Sequence, residues 1–275
     1  MRMTRTIQRY GWRPDLPDPR DRSYNLEEPI SKANQLPAKF SLRDKMPKVF
    51  DQGQLGSCTA NGIVGVLMAQ GMKQGEAELM LSRLYVYYHE RAIEGTVDSD
   101  SGAQIRDGIK VVATLGAPPE SVWPYDIAKF TDDPPVKADV EAKKHEAIEY
   151  HRVDPRSAGA PLRSALFAGN PIVKGFAVPE RFEDPDWNPK TEALGLPRPY
   201  EGFIGGHCTV TIGWDFTCTR FPVPVFEERN SWNARWGDEG HYWADARWLW
   251  SRELSSDFWV VRRVGSRAGQ LQGTV

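Results

Sequence analysis

The stretch Asp51-Gln52-Gly53-Gln54-Leu55-Gly56-Ser57-Cys58-Thr59-Ala60 decides how the rest of the chain is read. Gly53 and Gly56 make a turn, and Cys58 opens a run in which Ala60, Ile63, Val64, Val66, Leu67, Met68 and Ala69 leave almost no polar face. A helix that is apolar on every side is buried on every side. Residues 58–72 are therefore predicted to form a central helix, with Gly62 and Gly65 letting neighbours approach it closely. A thiol delivered to a helix start meets unpaired amides and the positive end of the dipole, and both favour the thiolate. The same amides can receive an oxyanion. A buried free cysteine is also a common structural residue, so the stretch needs company before it means chemistry.

Two further segments supply it. In Gly205-Gly206-His207-Cys208-Thr209-Val210-Thr211-Ile212-Gly213-Trp214 a histidine follows two glycines at the start of an apolar strand, and the glycines leave its ring reachable. In Glu228-Arg229-Asn230-Ser231-Trp232 an asparagine ends a strand, and Arg235-Trp236-Gly237-Asp238-Glu239-Gly240 follows. An asparagine carbonyl can accept the Nδ1 proton of an imidazole and fix its plane and tautomer. Each segment alone has a structural account: a hydrogen-bonded core histidine, a turn. Other chemistries fare worse. His145, Glu146 and His151 miss the H-E-x-x-H pattern because the required position is Glu149. Cys208, Cys218 and His241 match no zinc spacing. There is no Gly-x-Ser-x-Gly elbow, Walker loop or dinucleotide fingerprint.

Taken in order, the three segments resemble the papain-like cysteine proteases, peptidase family C1. Gln52 stands six residues before Cys58, Gly56-Ser57-Cys58 matches the family's Gly-Ser-Cys, and Asn230-Ser231-Trp232 matches its Asn-Ser-Trp. Leu36-Pro37 with Phe40, Leu42 and Arg43 resembles the start of a mature enzyme, so the likeness runs from residue 36 to the last strand. The resemblance implies an α+β fold of two domains, a helical left half and an antiparallel β-barrel-like right half, with the active-site cleft between them. It implies a cysteine endopeptidase that works through a thioester acyl-enzyme. Cys58 would be the nucleophile, His207 the base, Asn230 its orienter and Gln52 the oxyanion donor. Ser101, Gly102, Gly175 and Trp232 would contact the peptide substrate, Gly175 at the wall of the main specificity pocket. No metal or organic cofactor is expected. Three departures stand out. Thr59 replaces the usual aromatic, Leu55 the usual cysteine, and Asn233 a usual glycine. The loss of that cysteine resembles the family's disulfide-free bacterial members. Asn230 also falls later than the roughly 130–150 residues after the nucleophile that are usual, which points to extra residues in 179–206 and 216–222.

The rest of the chain sets limits. With 275 residues, 40% of them hydrophobic and 26% charged, it is neither disordered nor fibrous. Thirty-five basic against 37 acidic residues leave no surplus for nucleic acid or an acidic membrane. Three cysteines cannot form a disulfide framework, and no apolar run is long enough to span a bilayer. No signal peptide is read at the start, so a cytoplasmic location is expected. A helix capped by Ser82, with Leu84, Tyr85, Tyr88 and Ile93 as one stripe, and another at about 103–115 fill a helical half at about 51–139. Strands around 171–178, 209–214, 223–228 and 258–262 fill a β half at about 144–264. Residues 265–275 read as a tail. Residues 1–35, with Tyr10, Trp12, Pro14, Pro17, Pro19 and Pro29, read as an extended strap and an intramolecular inhibitor. Two other functions share the fold: an acyltransferase that delivers the acyl group to an amine, and a binding module without activity.

Overall fold

Helices come first and strands later, as the change of texture near residue 145 predicts. The computed structural model describes residues 10–21, 23–24, 36–155 and 159–266. The expectations for the remainder of 1–35 and for 267–275 lie outside the described residues. In chain order the elements are β1 (Trp12–Arg13), β2 (Lys39–Ser41), α1 (Cys58–Lys73), α2 (Arg83–Glu94), β3 (Ala103–Gln104), α3 (Ile105–Thr114) and α4 (Val136–Ala142). Then follow β4 (Glu146–Arg152), α5 (Ala160–Phe167), β5 (Ile172–Pro179), β6 (Phe203–Asp215), β7 (Val225–Arg229), β8 (His241–Asp245), α6 (Ala246–Trp250) and β9 (Ser255–Gly265).

Among the described residues the strands form one antiparallel sheet in the order β4-β9-β5-β6-β7-β8, with β2 added to β6. The short pair β1–β3 stands apart and is parallel. The all-apolar helix α1 is buried from Cys58 through Gly71. It packs on α2 and α3 on one side and on β5, β6 and β9 on the other, so it forms the seam between helices and sheet. Its first residue therefore lies where the two layers meet.

Local sequence accounts for most boundaries. Ser82 Oγ accepts the Tyr85 N–H at the start of α2, and Gly95 closes that helix in the left-handed region. The expected α2 stripe is displaced. Leu84 and Tyr85 are buried as expected, but Ile93 is half exposed, and Tyr87, Glu90 and Arg91 complete the buried face. Helix α3 starts two residues later than expected because residues 103–104 are taken up as strand β3. Strand β6 starts at Phe203, so His207 lies inside the strand rather than opening it. The five- and eight-residue helices α6 and α5 carry too few turns to show a period. The register Phe176↔His207 between β5 and β6, and Val210↔Arg229 between β6 and β7, brings His207 and Asn230 together at one end of the sheet.

Candidate active site

Cys58 opens α1 after the N-cap Ser57, whose side chain makes no capping bond to the helix. Ser57 Oγ is engaged by Tyr125 Oη at 2.5 Å and by Asn61 Nδ2 at 3.0 Å instead. His207 Nε2 lies 2.8 Å from Asn230 Oδ1. That oxygen also accepts the Ser231 backbone N–H at 2.8 Å. A backbone amide only donates, so the atom facing it is the carbonyl oxygen of Asn230. The imidazole must therefore donate from Nε2. This corrects the sequence expectation, which gave the asparagine the Nδ1 proton. Nδ1 is left buried with no hydrogen-bond partner, as a bare acceptor.

Around this pair the chain builds an aromatic cage. Trp232 lies 5.0 Å from the His207 ring, Phe176 5.8 Å and Tyr10 5.6 Å between centroids. On the other side of the site, Gln52 is fixed at both ends of its amide. Ser231 Oγ donates to its Oε1 at 2.6 Å, and its Nε2 donates to the Leu55 carbonyl at 2.9 Å. The Gln52 N–H also reaches the Ser231 carbonyl, which ties the Gly-rich turn to the Asn-Ser-Trp segment. Sequence order separates Gln52, Cys58, His207, Asn230 and Trp232, and the fold gathers them.

The strap crosses this site. The backbone N–H groups of Cys208 and Gly11 both favour the Cys58 thiolate, against its burial. The Gly11 carbonyl accepts the Ala103 N–H at 2.7 Å. Gly102 has φ +68, and a Cβ there would fall into the Gly11 carbonyl, so both its backbone conformation and the strap's approach require glycine. Ser101 lies beside it, with Oγ bonded to Thr96 Oγ1 at 2.8 Å, and takes no part in the strap pairing. Gly175 sits under the indole of Trp12, where any Cβ would overlap the ring. Gly205 and Gly206 were expected to bare the histidine ring; they make room for Tyr10 and Trp12.

Burial under the strap reverses the expected ionisation. The sequence predicts an activated thiol within roughly 3.5–7.5. Desolvation instead pushes the Cys58 thiol up to about 12, against the lowering effect of the neighbouring N–H groups. It also pulls the His207 imidazole down to about 4, with the charge of Lys174 adding to the effect and the Asn230 bond opposing it. The closed site holds a neutral thiol and a neutral imidazole.

The three departures from the family pattern find local reasons. Thr59 Oγ1 donates to Glu90 Oε2 at 2.8 Å, in a space that Gly108 leaves open for the Glu90 carboxyl. Asn233 has φ +55, a conformation asparagine tolerates better than most residues, and its Nδ2 bonds Asp51 at 3.0 Å. Leu55 is buried in the core. The long 179–206 connection puts Phe182 and Trp187 into the cage around Trp232 and Trp236.

This constellation agrees with what the chain resembles. Residues 36–247 match the family model described as papain family cysteine protease. The chain belongs to the papain family of cysteine proteases. An uncharacterized peptidase C1-like protein of Acanthamoeba polyphaga mimivirus is 36% identical over 283 residues, covering 95% of this chain and 89% of the viral protein. Xylellain, a cysteine protease from Xylella fastidiosa, superposes with a TM-score of 0.80 at 32% identity, covering 95% of this chain and 99% of its own. A procathepsin B from Trypanosoma congolense shares the fold at a TM-score of 0.65 and 15% identity, covering 86% of this chain and 80% of its own.

Four buried polar residues of this papain-family enzyme escaped the sequence reading. Lys174 Nζ lies 3.4 Å from Glu228 Oε2, and that carboxylate accepts from Thr209 and Thr211 at 2.9 and 2.8 Å, two and four residues beyond His207 on β6. A lysine inside the apolar strand Ile172–Pro179 was the available signal. Burial pulls both partners toward neutrality, while their mutual attraction opposes it. Burial likewise raises the Glu90 carboxyl well above its usual range. Asp257, in the left-handed region at φ +58, lies at the end of the pocket that Trp12 fills. Among the described residues no three His, Cys, Asp or Glu side chains gather as a metal site, and no helix is long and apolar enough to cross a membrane.

Proposed function

We propose that the chain is an endopeptidase in which Cys58, His207, Asn230 and Gln52 carry the chemistry and the N-terminal strap is its intramolecular inhibitor. The catalytic reading rests on the 2.8 Å His207–Asn230 bond, which leaves Nδ1 as the ring's acceptor. With the strap displaced and water admitted, Nδ1 takes the Cys58 proton. The thiolate attacks the scissile carbonyl, and its oxygen becomes an oxyanion held by the Cys58 N–H and the Gln52 amide. Collapse breaks the C–N bond, and the imidazolium returns its proton to the leaving amine. Water then attacks the thioester with His207 as base, releasing the acid and restoring the thiol. Asn230 holds the ring plane throughout, and Trp232 keeps water from that bond. No step calls for a metal or organic cofactor.

The inhibitory reading rests on Gly11, whose carbonyl pairs with Ala103 and whose N–H acts on the Cys58 thiol. Tyr10 covers His207, and its hydroxyl bonds Glu183 at 2.6 Å. A strap so placed excludes a peptide from the same strip. Cleavage of quenched peptides, with Cys58→Ala as the blank, tests the activity. A chain starting at Leu36 should cleave faster than the full chain, and the 1–35 peptide added back should slow it. A folded, truncated enzyme that is no faster would make the strap structural.

A further inference from the structure

Trp12 occupies a pocket that is built, not merely covered. Gly175 of β5 gives it a bare wall, and a Cβ on Gly206 of β6 would come within 2.7 Å of the indole Cε3. At its end stands the Asp257 carboxylate, buried at the start of β9. Asp257 Oδ2 accepts the Trp12 indole N–H at 3.2 Å and the Asp15 backbone N–H at 2.9 Å. Asp257 Oδ1 accepts from Arg152 Nη2 at 2.6 Å. The residue before Trp12 accepts the Ala103 N–H, and its own N–H favours the Cys58 thiolate, so the pocket receives the side chain adjoining the one at the nucleophile.

When the strap leaves, Oδ2 loses both of its strap donors. A buried acceptor left unpaired is costly, and more so when charged. Phenylalanine or leucine would fill the volume and leave that oxygen unpaired. Arginine would bring a donor but also a second guanidinium beside Arg152, whose charge already balances the carboxylate. Tryptophan supplies area and a neutral N–H together. Building on the peptidase reading, we propose that this pocket selects tryptophan in the substrate, next to the residue at the scissile bond, with Asp257 accepting its indole N–H. Trp12 then holds the pocket as a stand-in for that substrate side chain.

The test uses the full chain carrying Trp12→Ala, which vacates the pocket. Quenched peptides that differ at one position, as Trp, 1-methyl-Trp, Phe or Arg, are compared by kcat/KM, with cut sites mapped by mass spectrometry. Trp should exceed 1-methyl-Trp and Phe by about 10–100-fold, the cost of an unpaired buried acceptor. Equal rates for Trp and Phe, or a preference for Arg, would overturn the proposal. Binding separates it from the peptidase reading. Saturation-transfer NMR on the variant should detect N-acetyl-tryptophanamide and not its 1-methyl analogue. If no peptide is cut yet this difference remains, the peptidase reading fails and the pocket's selectivity stands. If both amides bind alike, the pocket assignment falls. Should the variant not fold, the wild-type chain serves. N-acetyl-Gly-Trp-Gly-amide should displace the strap and speed iodoacetamide labelling of Cys58, and the 1-methyl form should not. Equal acceleration by the two would be fatal to the idea.

Discussion

Cys58 and His207 show how far a single residue's chemistry depends on what lies over it. The motif Gly-Ser-Cys at a helix start reads as a reactive thiol, yet under the strap the thiol is pushed up to about 12 and the imidazole down to about 4. In the full chain at pH 7 iodoacetamide should therefore label exposed Cys218 first, with Cys58 slow. In the chain starting at Leu36 Cys58 should overtake it. Mass spectrometry of the labelled peptides reads both, and fast labelling of Cys58 in the full chain would mean an unseated strap. Lys174 and Glu228 give a second prediction at this scale. Removing one partner of a buried ion pair leaves an uncompensated charge, so Lys174→Met should cost about 3–5 kcal/mol in urea unfolding. The double substitution Lys174→Met with Glu228→Met should recover most of that. If the single and double variants unfold alike, the pair is not ionised. Glu90 differs again. Burial raises its carboxyl well above the usual range and so favours the protonated form, and Glu90→Gln should change the unfolding midpoint little.

At the scale of elements, the strap is the part whose role depends most on its partners. Pro14 and Pro17 keep it extended up to Asp18, which lowers the entropy lost on docking, and Pro19 starts a turn in which the Asp21 N–H bonds the Asp18 carbonyl. It is held by more than two paired residues. Asp21 takes Arg106 at 2.6 Å and Arg152 at 2.8 Å, Asp15 Oδ1 accepts the Arg106 N–H at 3.0 Å, and Arg13 pairs with Glu94. Asp21→Ala removes two ion pairs, one to buried Arg106 and one to part-exposed Arg152, and so weakens docking of the strap. The full chain should then cleave peptides several-fold faster, with no change in the folding midpoint of the body. Unchanged turnover would show that the Asp21 clamp does not set the docking equilibrium. The extended character of the strap was legible from its prolines. Its parallel pairing with β3 was not, because Trp12-Arg13 and Ala103-Gln104 are too short to carry an alternation.

For the molecule as a whole, docking of the strap is linked to pH through two of the strap's own carboxylates. Burial, then the charge of Asp257, raises Asp15 to about 6 from its usual 3.8, against the lowering effect of the Arg106 N–H, the Trp259 indole and the Arg106 charge. A pKa raised by docking favours the docked state at low pH. That contribution is full below about 4 and is lost as pH rises through about 6. Asp21 works in the opposite sense. Its pKa is lowered by bonds to Arg106 and Arg152, although burial opposes this. Its contribution is present above its ordinary value and is lost as pH falls below it. Full-chain activity, divided by that of the chain starting at Leu36, should rise from about pH 4.5 to 6 and then level off. The ratio removes the shared pH dependence of the catalytic groups. A ratio that falls across this window would put the controlling carboxylate elsewhere.

What the amino-acid order determined alone was local and periodic: an all-apolar helix led by Cys58, a Ser82 cap, apolar strands after residue 145, and ordered motifs that resemble one family. These are legible because each is written within a few residues, in a period of 3.6 or 2 or in fixed spacings. What only the tertiary structure decided depends on partners distant in the chain. Asn230 faces Nε2 rather than Nδ1 because the Ser231 N–H turns its oxygen and the β6–β7 register sets the ring. Gly205 and Gly206 serve the strap because Tyr10 and Trp12 return across nearly 200 residues to lie on them. Thr59 faces Glu90, Lys174 faces Glu228, and Asp257 meets an indole from the other end of the chain. A thiol's ionisation belongs to this second class, because desolvation is a property of everything packed around the sulfur and of no residue by itself.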